Sequence, residues 1–115
     1  MDEDDTLPPE FQVRVDDGPQ GVLVRIIGDL DMATVGRLVT ATRDVLGSGR
    51  HVVFDLGGVS FVDSSGLRYF LDLYQRAGSA GFSFALRQAR RSVHKTFEVS
   101  GLDRVLPWEL GDEDA

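Results

Sequence analysis

The sequence has no cysteine, which excludes disulfide bonds and metal sites built on thiolates. It has only two histidines, His51 at the start of an apolar segment and His94 in a helical pattern. Neither a histidine-rich metal site nor a Ser-His-Asp triad is therefore indicated. No apolar run approaches the roughly 18 residues that a membrane-spanning helix requires. These absences predict a soluble protein without a membrane partner.

Positive charge is also scarce, with 12 Lys and Arg against 19 Asp and Glu and a formal net charge of −7. Seven of the acids lie in Met1–Asp5 and Gly111–Ala115, and the remaining acids balance the basic residues. We therefore expect a near-neutral domain over residues 11–107, with a disordered acidic tail over 1–10 and another over 108–115. The acidic start differs from the basic start of a signal peptide, which favours a cytoplasmic protein.

Nucleic acid is not expected to be a partner, because the sequence has no basic stripe. Its one basic cluster is Arg87, Arg90 and Arg91, which we expect to cover a strand-to-helix turn.

Strand and helix patterns alternate along the chain, as in α/β proteins. The length of 115 residues suits one domain. Period-two or continuous apolar segments predict five strands, and i, i+3, i+4 spacing predicts helices that begin near Met32, Ser64 and Ser92. The predicted strands are Phe11–Val15, Val22–Ile27, His51–Leu56, Phe82–Leu86 and, as a short terminal strand or an extended piece, Leu102–Leu106. The expected fold is a mixed sheet of about five strands with helices packed against it, in the order β-β-α-β-α-β-α-β.

The most informative stretch is the junction between the third strand and the second helix. A helix-capping residue belongs at Asp63, Ser64 or Ser65. Leu67, Phe70 and Tyr74 follow at the spacing of one buried helix face. Ser64 and Ser65 then present two hydroxyls at the positive end of a helix, where an anion such as a phosphate is favoured. A simple helix cap is the alternative interpretation of the same residues.

Three aspartates, Asp29, Asp31 and Asp63, follow predicted strands. Because the carboxyl ends of neighbouring parallel strands share one edge of a sheet, a magnesium site there is conceivable. Solvated turn acids and caps are the alternative, and the sequence alone leaves both open.

Three segments together resemble the STAS domain family, specifically the stand-alone bacterial anti-sigma factor antagonists. Gly28-Asp29-Leu30-Asp31 resembles the family's Gly-Glu-Leu-Asp turn, with aspartate in place of glutamate. Val59-Ser60-Phe61-Val62-Asp63-Ser64-Ser65-Gly66-Leu67 resembles its central phosphorylation motif. Phe97-Glu98-Val99-Ser100-Gly101-Leu102 is similar to the end of its last main helix. The resemblance spans Phe11 to about Leu106.

The resemblance implies a binding switch rather than an enzyme, with no cofactor. The unphosphorylated protein would bind an anti-sigma factor that is also a serine kinase, and a sigma factor would be released. Phosphorylation of Ser64 would end the interaction, and a serine phosphatase would restore it. The partner-binding residues would be Asp31, Thr34, Asp63, Ser65, Gly66 and Arg68.

Two other functions fit parts of the sequence. A response-regulator receiver would use Asp55 as an acyl-phosphate site with magnesium, but the only lysine, Lys95, lies in a helical pattern rather than after a strand. A STAS scaffold module would bind partners without being phosphorylated. Only identification of the partner separates that possibility from a phosphorylated switch.

Overall fold

The computed structural model describes residues 10–109, so the acidic segments at Met1–Asp5 and Gly111–Ala115 lie outside the described residues. Within that range the elements follow the predicted alternation of strands and helices up to the third helix. In chain order they are β1 (Gln12–Gly18), β2 (Gly21–Leu30), α1 (Val35–Gly47), β3 (Val52–Val62), α2 (Ser64–Ala80), β4 (Phe84–Arg87), α3 (Arg91–Ser100) and a 3-10 turn (Leu102–Arg104).

The described residues form one mixed sheet of four strands in the order β1-β2-β3-β4. The first two strands make an antiparallel hairpin, whereas β2 pairs in parallel with β3 and β3 in parallel with β4. Each parallel pair requires a helical crossover between its strands, which α1 and α2 supply. The predicted α/β mixed-sheet class is confirmed, with four strands rather than five.

The predicted fifth strand, Leu102–Leu106, is wrong. Gly101 ends α3 in the left-handed region with φ 82°, and Leu102–Arg104 then turn as a 3-10 helix. The chain reaches the sheet only afterwards, when the Glu109 N–H donates to the Leu86 carbonyl at 2.8 Å. Trp108 and Glu109, which follow the expected domain end at 107, therefore still contact the body of the protein.

The core beneath the sheet is built on aromatic rings. Phe54 of β3 contacts Phe70 and Tyr69 of α2 edge to face, with ring centroids 5.3 and 6.1 Å apart. Phe97 of α3 packs on Phe70 at 6.1 Å. The Tyr69 hydroxyl lies 2.7 Å from the Thr42 hydroxyl of α1, and burial raises the pKa of Tyr69 to about 12. The rings thus join β3 and all three helices in one core.

Two predicted helix boundaries shift in the structure. Helix α1 begins at Val35 instead of Met32, because Asp31 to Thr34 form a hydrogen-bonded turn before it. Helix α3 begins at Arg91, one residue before the predicted start near Ser92.

Strand β3 is longer than the predicted strand His51–Leu56. It continues through Ser60 to Val62, with a register shift opposite β2. Tyr74, predicted to face inward, is 46% exposed. It lies seven residues after Leu67, which is only half-buried, and an α-helix turns about 20° away from a seven-residue repeat. Tyr74 therefore falls beyond the edge of the buried face.

Candidate functional site

Two loops meet at the carboxyl ends of the neighbouring parallel strands β2 and β3. One loop runs from Asp31 to Thr34 before α1, and the other is the single residue Asp63 before α2. The Asp63 backbone N–H donates to the Leu30 carbonyl at 3.2 Å, which extends the strand pairing to the last residue before the helix. The parallel sheet thus places the predicted acidic turn and the predicted serine motif side by side.

Among the three residues at the expected capping position, Asp63 is the cap of α2. Its Oδ1 accepts from the backbone N–H of Ser65 at 2.8 Å and of Gly66 at 3.4 Å. Its Oδ2 accepts from the N–H of Met32 at 3.3 Å in the neighbouring loop. The carboxylate therefore satisfies two otherwise free donors of the helix and links the two loops.

Asp31 and Thr34 stabilise the neighbouring loop by hydrogen bonds of their own. Asp31 Oδ1 accepts from the N–H of Ala33 at 3.0 Å and of Thr34 at 3.1 Å. Thr34 Oγ1 accepts from the Asp31 N–H at 3.0 Å and donates to the Asp29 carbonyl at 2.7 Å. Both side chains are half-buried, so their first role is to shape the loop beside Asp63.

The acidic residues of this edge do not gather into a metal site. Among residues 10–109, no three acidic or histidine side chains are arranged to hold a metal ion. Asp31 and Asp63 instead direct their oxygens at backbone N–H groups, which is the capping interpretation of the sequence.

The two serines of the motif differ in exposure. Ser64 is exposed and is the first residue of α2, whereas Ser65 is half-buried. Among the hydrogen bonds of the described residues, none involves the hydroxyl of either serine. Side-chain hydrogen bonds therefore do not distinguish the two serines, but Ser64 is the more accessible of the two. Ser60, within β3, lies four residues before the helix.

Gly66 has a packing role in this structure. It is buried, and a Cβ placed on it would lie 2.9 Å from Leu30 Cγ and 3.0 Å from Val62 Cγ1. The close approach that requires glycine is thus that of α2 to the ends of β2 and β3 within this chain. The partner contact that the resemblance implies for Gly66 stays a prediction.

The structure brings Ser64, Ser65 and Arg68 together on the wall of one open cavity of about 760 Å³. Arg68 is exposed and makes no ion pair among the described residues. Asp31, Thr34 and Asp63 do not line this cavity; they lie at the loop junction behind it. The predicted site residues therefore divide into a cavity wall and the loops that hold it.

Sequence reasoning missed two exposed apolar residues at the same edge. Met32 is 79% exposed and its N–H is bonded to Asp63, and Phe61, two residues before Asp63, is 51% exposed. The helical pattern predicts that α1 begins near Met32, and the site residues implied by the resemblance include neither Met32 nor Phe61. The available signal was the strand period, because the neighbour Val62 faces the core and Phe61 therefore faces away.

The receiver interpretation depended on Asp55, which lies inside β3 rather than beyond its end. Its carboxylate accepts from the Gly57 N–H at 2.8 Å and lies 3.8 Å from Arg87. Lys95 lies in α3 and is exposed.

No helix within residues 10–109 combines the length and the apolar character needed to cross a membrane.

Comparison with known proteins identifies this arrangement. The STAS domain model matches residues 10–115. An anti-sigma F factor antagonist of Paenibacillus polymyxa is 31% identical over 91 residues, which cover 76% of this chain and 78% of that protein. The crystal structure of an anti-sigma factor antagonist from Mycobacterium paratuberculosis has a TM-score of 0.79 at 26% identity and covers 91% of this chain and 90% of that one.

The phosphorylated form of the Bacillus cell fate determinant SpoIIAA has the same fold, with a TM-score of 0.63 at 21% identity. The alignment covers 91% of this chain and 96% of SpoIIAA. The family match, which covers all of the described residues, decides the assignment together with the Paenibacillus relative. The chain belongs to the STAS domain family.

Proposed function

We propose that this protein is a cytoplasmic anti-sigma factor antagonist controlled by phosphorylation of Ser64. The unphosphorylated protein binds an anti-sigma factor that is also a serine kinase, and this binding releases a sigma factor. Phosphorylation by that kinase ends the interaction, and a serine phosphatase restores it. The similarity to the anti-sigma factor antagonists of Paenibacillus polymyxa and Mycobacterium paratuberculosis supports the general role.

The observation that carries the phosphorylation step is the position of Ser64. It is exposed, it starts α2 directly after the capping Asp63, and its side chain lines an open cavity. A kinase can therefore reach this hydroxyl without unfolding any element. Ser65 also lines the cavity, but its partial burial restricts access.

The local hydrogen bonds explain how a phosphate alters binding while the fold is kept. The N–H groups of Ser65 and Gly66 are already occupied by Asp63, so a phosphate on Ser64 projects away from the helix end. It adds about 1.5 to 2 negative charges and three acceptor oxygens to a surface that already holds Asp31 and Asp63. A partner surface fitted to a neutral hydroxyl then faces an unpaired charge, which costs several kcal/mol, and about 1.4 kcal/mol is tenfold in affinity.

Met32 and Phe61 supply apolar contact area beside the switch. Met and Phe are among the residue types that are enriched in protein interfaces. With Arg68 on the cavity wall, they give the partner both apolar and charged contacts around Ser64.

The test uses the full chain as bait in native lysate, with and without ATP, to isolate the kinase, followed by phosphorylation with the purified enzyme. Mass spectrometry should find one phosphate, on Ser64. Ser64→Ala should take up no phosphate and hold the kinase persistently in ATP, and Ser64→Glu should bind weakly while its circular dichroism is unchanged.

Ser65→Ala is the matched control, because it removes the adjacent hydroxyl and should still be phosphorylated. Phosphate on Ser65 with Ser64 unmodified would contradict the assignment. A phosphate lost in acid would indicate an acyl phosphate, as on Asp55, and would support the receiver interpretation instead. Kinase binding that is indifferent to ATP would support a scaffold module.

A further inference from the structure

A groove runs between α1 and α2, away from the loops described above. Its far half encloses a cavity of about 320 Å³. The floor is apolar, with Val39 and Leu46 from α1, Tyr69 from α2 and Phe82 from the segment before β4. At its base, the 2.7 Å contact between the Thr42 and Tyr69 hydroxyls joins the two helices.

This groove is continuous with the cavity that contains Ser64. Val39, Tyr69 and Asp72 line both, and Ser64 lies in the half formed by the first turns of the two helices. The far half is lined by later residues of both helices, so α1 and α2 run side by side in the same direction. Helix α1 has 13 residues, so the groove is about 20 Å long at 1.5 Å per residue.

The rim of the groove concentrates positive charge. Arg43 of α1 and Arg68 and Arg76 of α2 line it, against one acid, Asp72. None of these four side chains takes part in an ion pair of the described residues, whereas Arg50 and Arg87 do. The three guanidinium groups are therefore available to carboxylates of another molecule, although the chain as a whole has a net charge of −7.

The floor between these arginines is fixed in place and partly exposed. Val39 is 39% exposed, while Tyr69 and Phe82 are each 8% exposed and belong to the core. An apolar floor flanked by unpaired cations matches an amphipathic segment with one apolar face and acidic flanks. Since two side-by-side helices present a groove between their ridges, a third helix fits this length and shape.

We propose that the anti-sigma partner docks an acidic amphipathic helix into the α1–α2 groove, with one end of that helix beside Ser64. This rests on the proposed function. It extends the partner surface from the start of α2 along the whole of α1 and assigns Arg43 and Arg76 to partner binding. The proposal also explains how phosphorylation weakens binding. A phosphate on Ser64 lies where the acidic helix meets the start of α2, and its negative charge repels the carboxylates of that helix.

The test compares two double variants that each change the net charge by four units, with the purified kinase as the ligand. Arg43→Glu with Arg76→Glu reverses the rim of the groove. Arg91→Glu with Lys95→Glu, on the exposed face of α3, is the matched control. We expect the groove variant to bind the kinase at least about tenfold more weakly and the α3 variant within about twofold of wild type.

Ionic strength provides a second measurement on the same proteins. Between about 50 and 500 mM NaCl, the wild-type affinity should fall and that of the groove variant should change little, because surface charge attraction is screened. Thermal unfolding checks that both variants fold, and Arg43→Gln with Arg76→Gln replaces the first variant if it does not. Synthetic peptides from the acidic amphipathic helices of the kinase should compete with the whole kinase for wild type.

The outcomes separate the two proposals. If wild type does not bind the kinase at all, the proposed function fails. If wild type binds and the folded groove variant binds equally well, only the groove proposal is wrong. If deletion of Asp2–Asp5 weakens kinase binding as much as the groove variant does, and the two changes combined weaken it no further, the groove acts by holding this chain's own acidic segment, and docking of a partner helix is overturned.

Discussion

The two ends of the α2 sequence Asp63–Phe70 differ in what they can tolerate. Phe70 is fully buried and touches rings from β3, α2 and α3. Ser64, less than two turns earlier, is exposed and forms no side-chain hydrogen bond among the described residues. The buried end gives α2 a fixed position, and the exposed end can therefore change its charge while the helix stays in place. A switch of this kind requires both properties in one element.

The largest expected effect comes from the buried end. Phe70→Ala should lower the free energy of unfolding by about 3–5 kcal/mol, because it removes a ring that three others contact. Urea denaturation measures this change. Tyr74→Ala, one turn further along the same helix, is the control and should cost about 1 kcal/mol or less. Equal losses for the two variants would mean that the buried face of α2 is wrongly assigned.

The next largest effect is a pH dependence of the free energy of unfolding, which arises from the hydroxyl of Tyr69, between the two ends. Burial raises its pKa to about 12 in the folded protein, against about 10 in an unfolded chain. As the pH rises, the unfolded state therefore loses the Tyr69 proton first. The contribution of Tyr69 to the free energy of unfolding is complete below about pH 9 and is lost between about pH 10 and 12, at up to about 1.4 kcal/mol per pH unit.

Denaturation curves at several alkaline pH values measure this loss, and two phenylalanine variants assign it. Tyr69→Phe should abolish the tyrosine contribution, whereas Tyr74→Phe, which changes an exposed phenol, should keep it. An unchanged alkaline slope in Tyr69→Phe would show that Tyr69 is not the group responsible.

A smaller effect on stability is expected at Asp63, where the exposed end adjoins the loops. Asp63→Ala should lower the free energy of unfolding by about 1–2 kcal/mol, because the N–H groups of Ser65, Gly66 and Met32 lose their acceptor. Asp63→Asn keeps a side-chain oxygen at the same position and should lose less. The comparison is made by urea denaturation, and an alanine variant as stable as wild type would exclude the capping role.

The smallest effect is expected at Ser64 itself. Ser64→Ala should change the free energy of unfolding by about 0.5 kcal/mol or less, since the hydroxyl is exposed and unbonded. Phosphorylated protein should keep the circular dichroism spectrum and nearly the melting temperature of the unmodified form. A large loss on phosphorylation would mean that the switch acts by unfolding α2, and the contrast between the two ends would be wrong.

Local chemistry explains which parts of the fold could be predicted. The start of α2 at Ser64 and the capping role of Asp63 depend on two or three adjacent residues, so the sequence contains them directly. The hairpin and the alternation of strands and helices follow from hydrophobic period. The fifth strand failed because the chain after Gly101 turns and packs Leu106 and Trp108 on the core before it meets β4.

Some features of the candidate site are likewise set by neighbouring residues, and others by the packing of distant segments. The sequence by itself determined that a capped helix begins with two serines and that an acidic turn ends β2. Only the tertiary structure decided that the turn lies against Asp63, since Met32 and Asp63 are 31 residues apart and parallel strand pairing brings them together. It also decided that Ser64 is exposed, that Gly66 is buried and that Arg43 and Arg76 share one groove. Exposure and charge clustering depend on which distant segments pack together, whereas capping depends on neighbours in the chain.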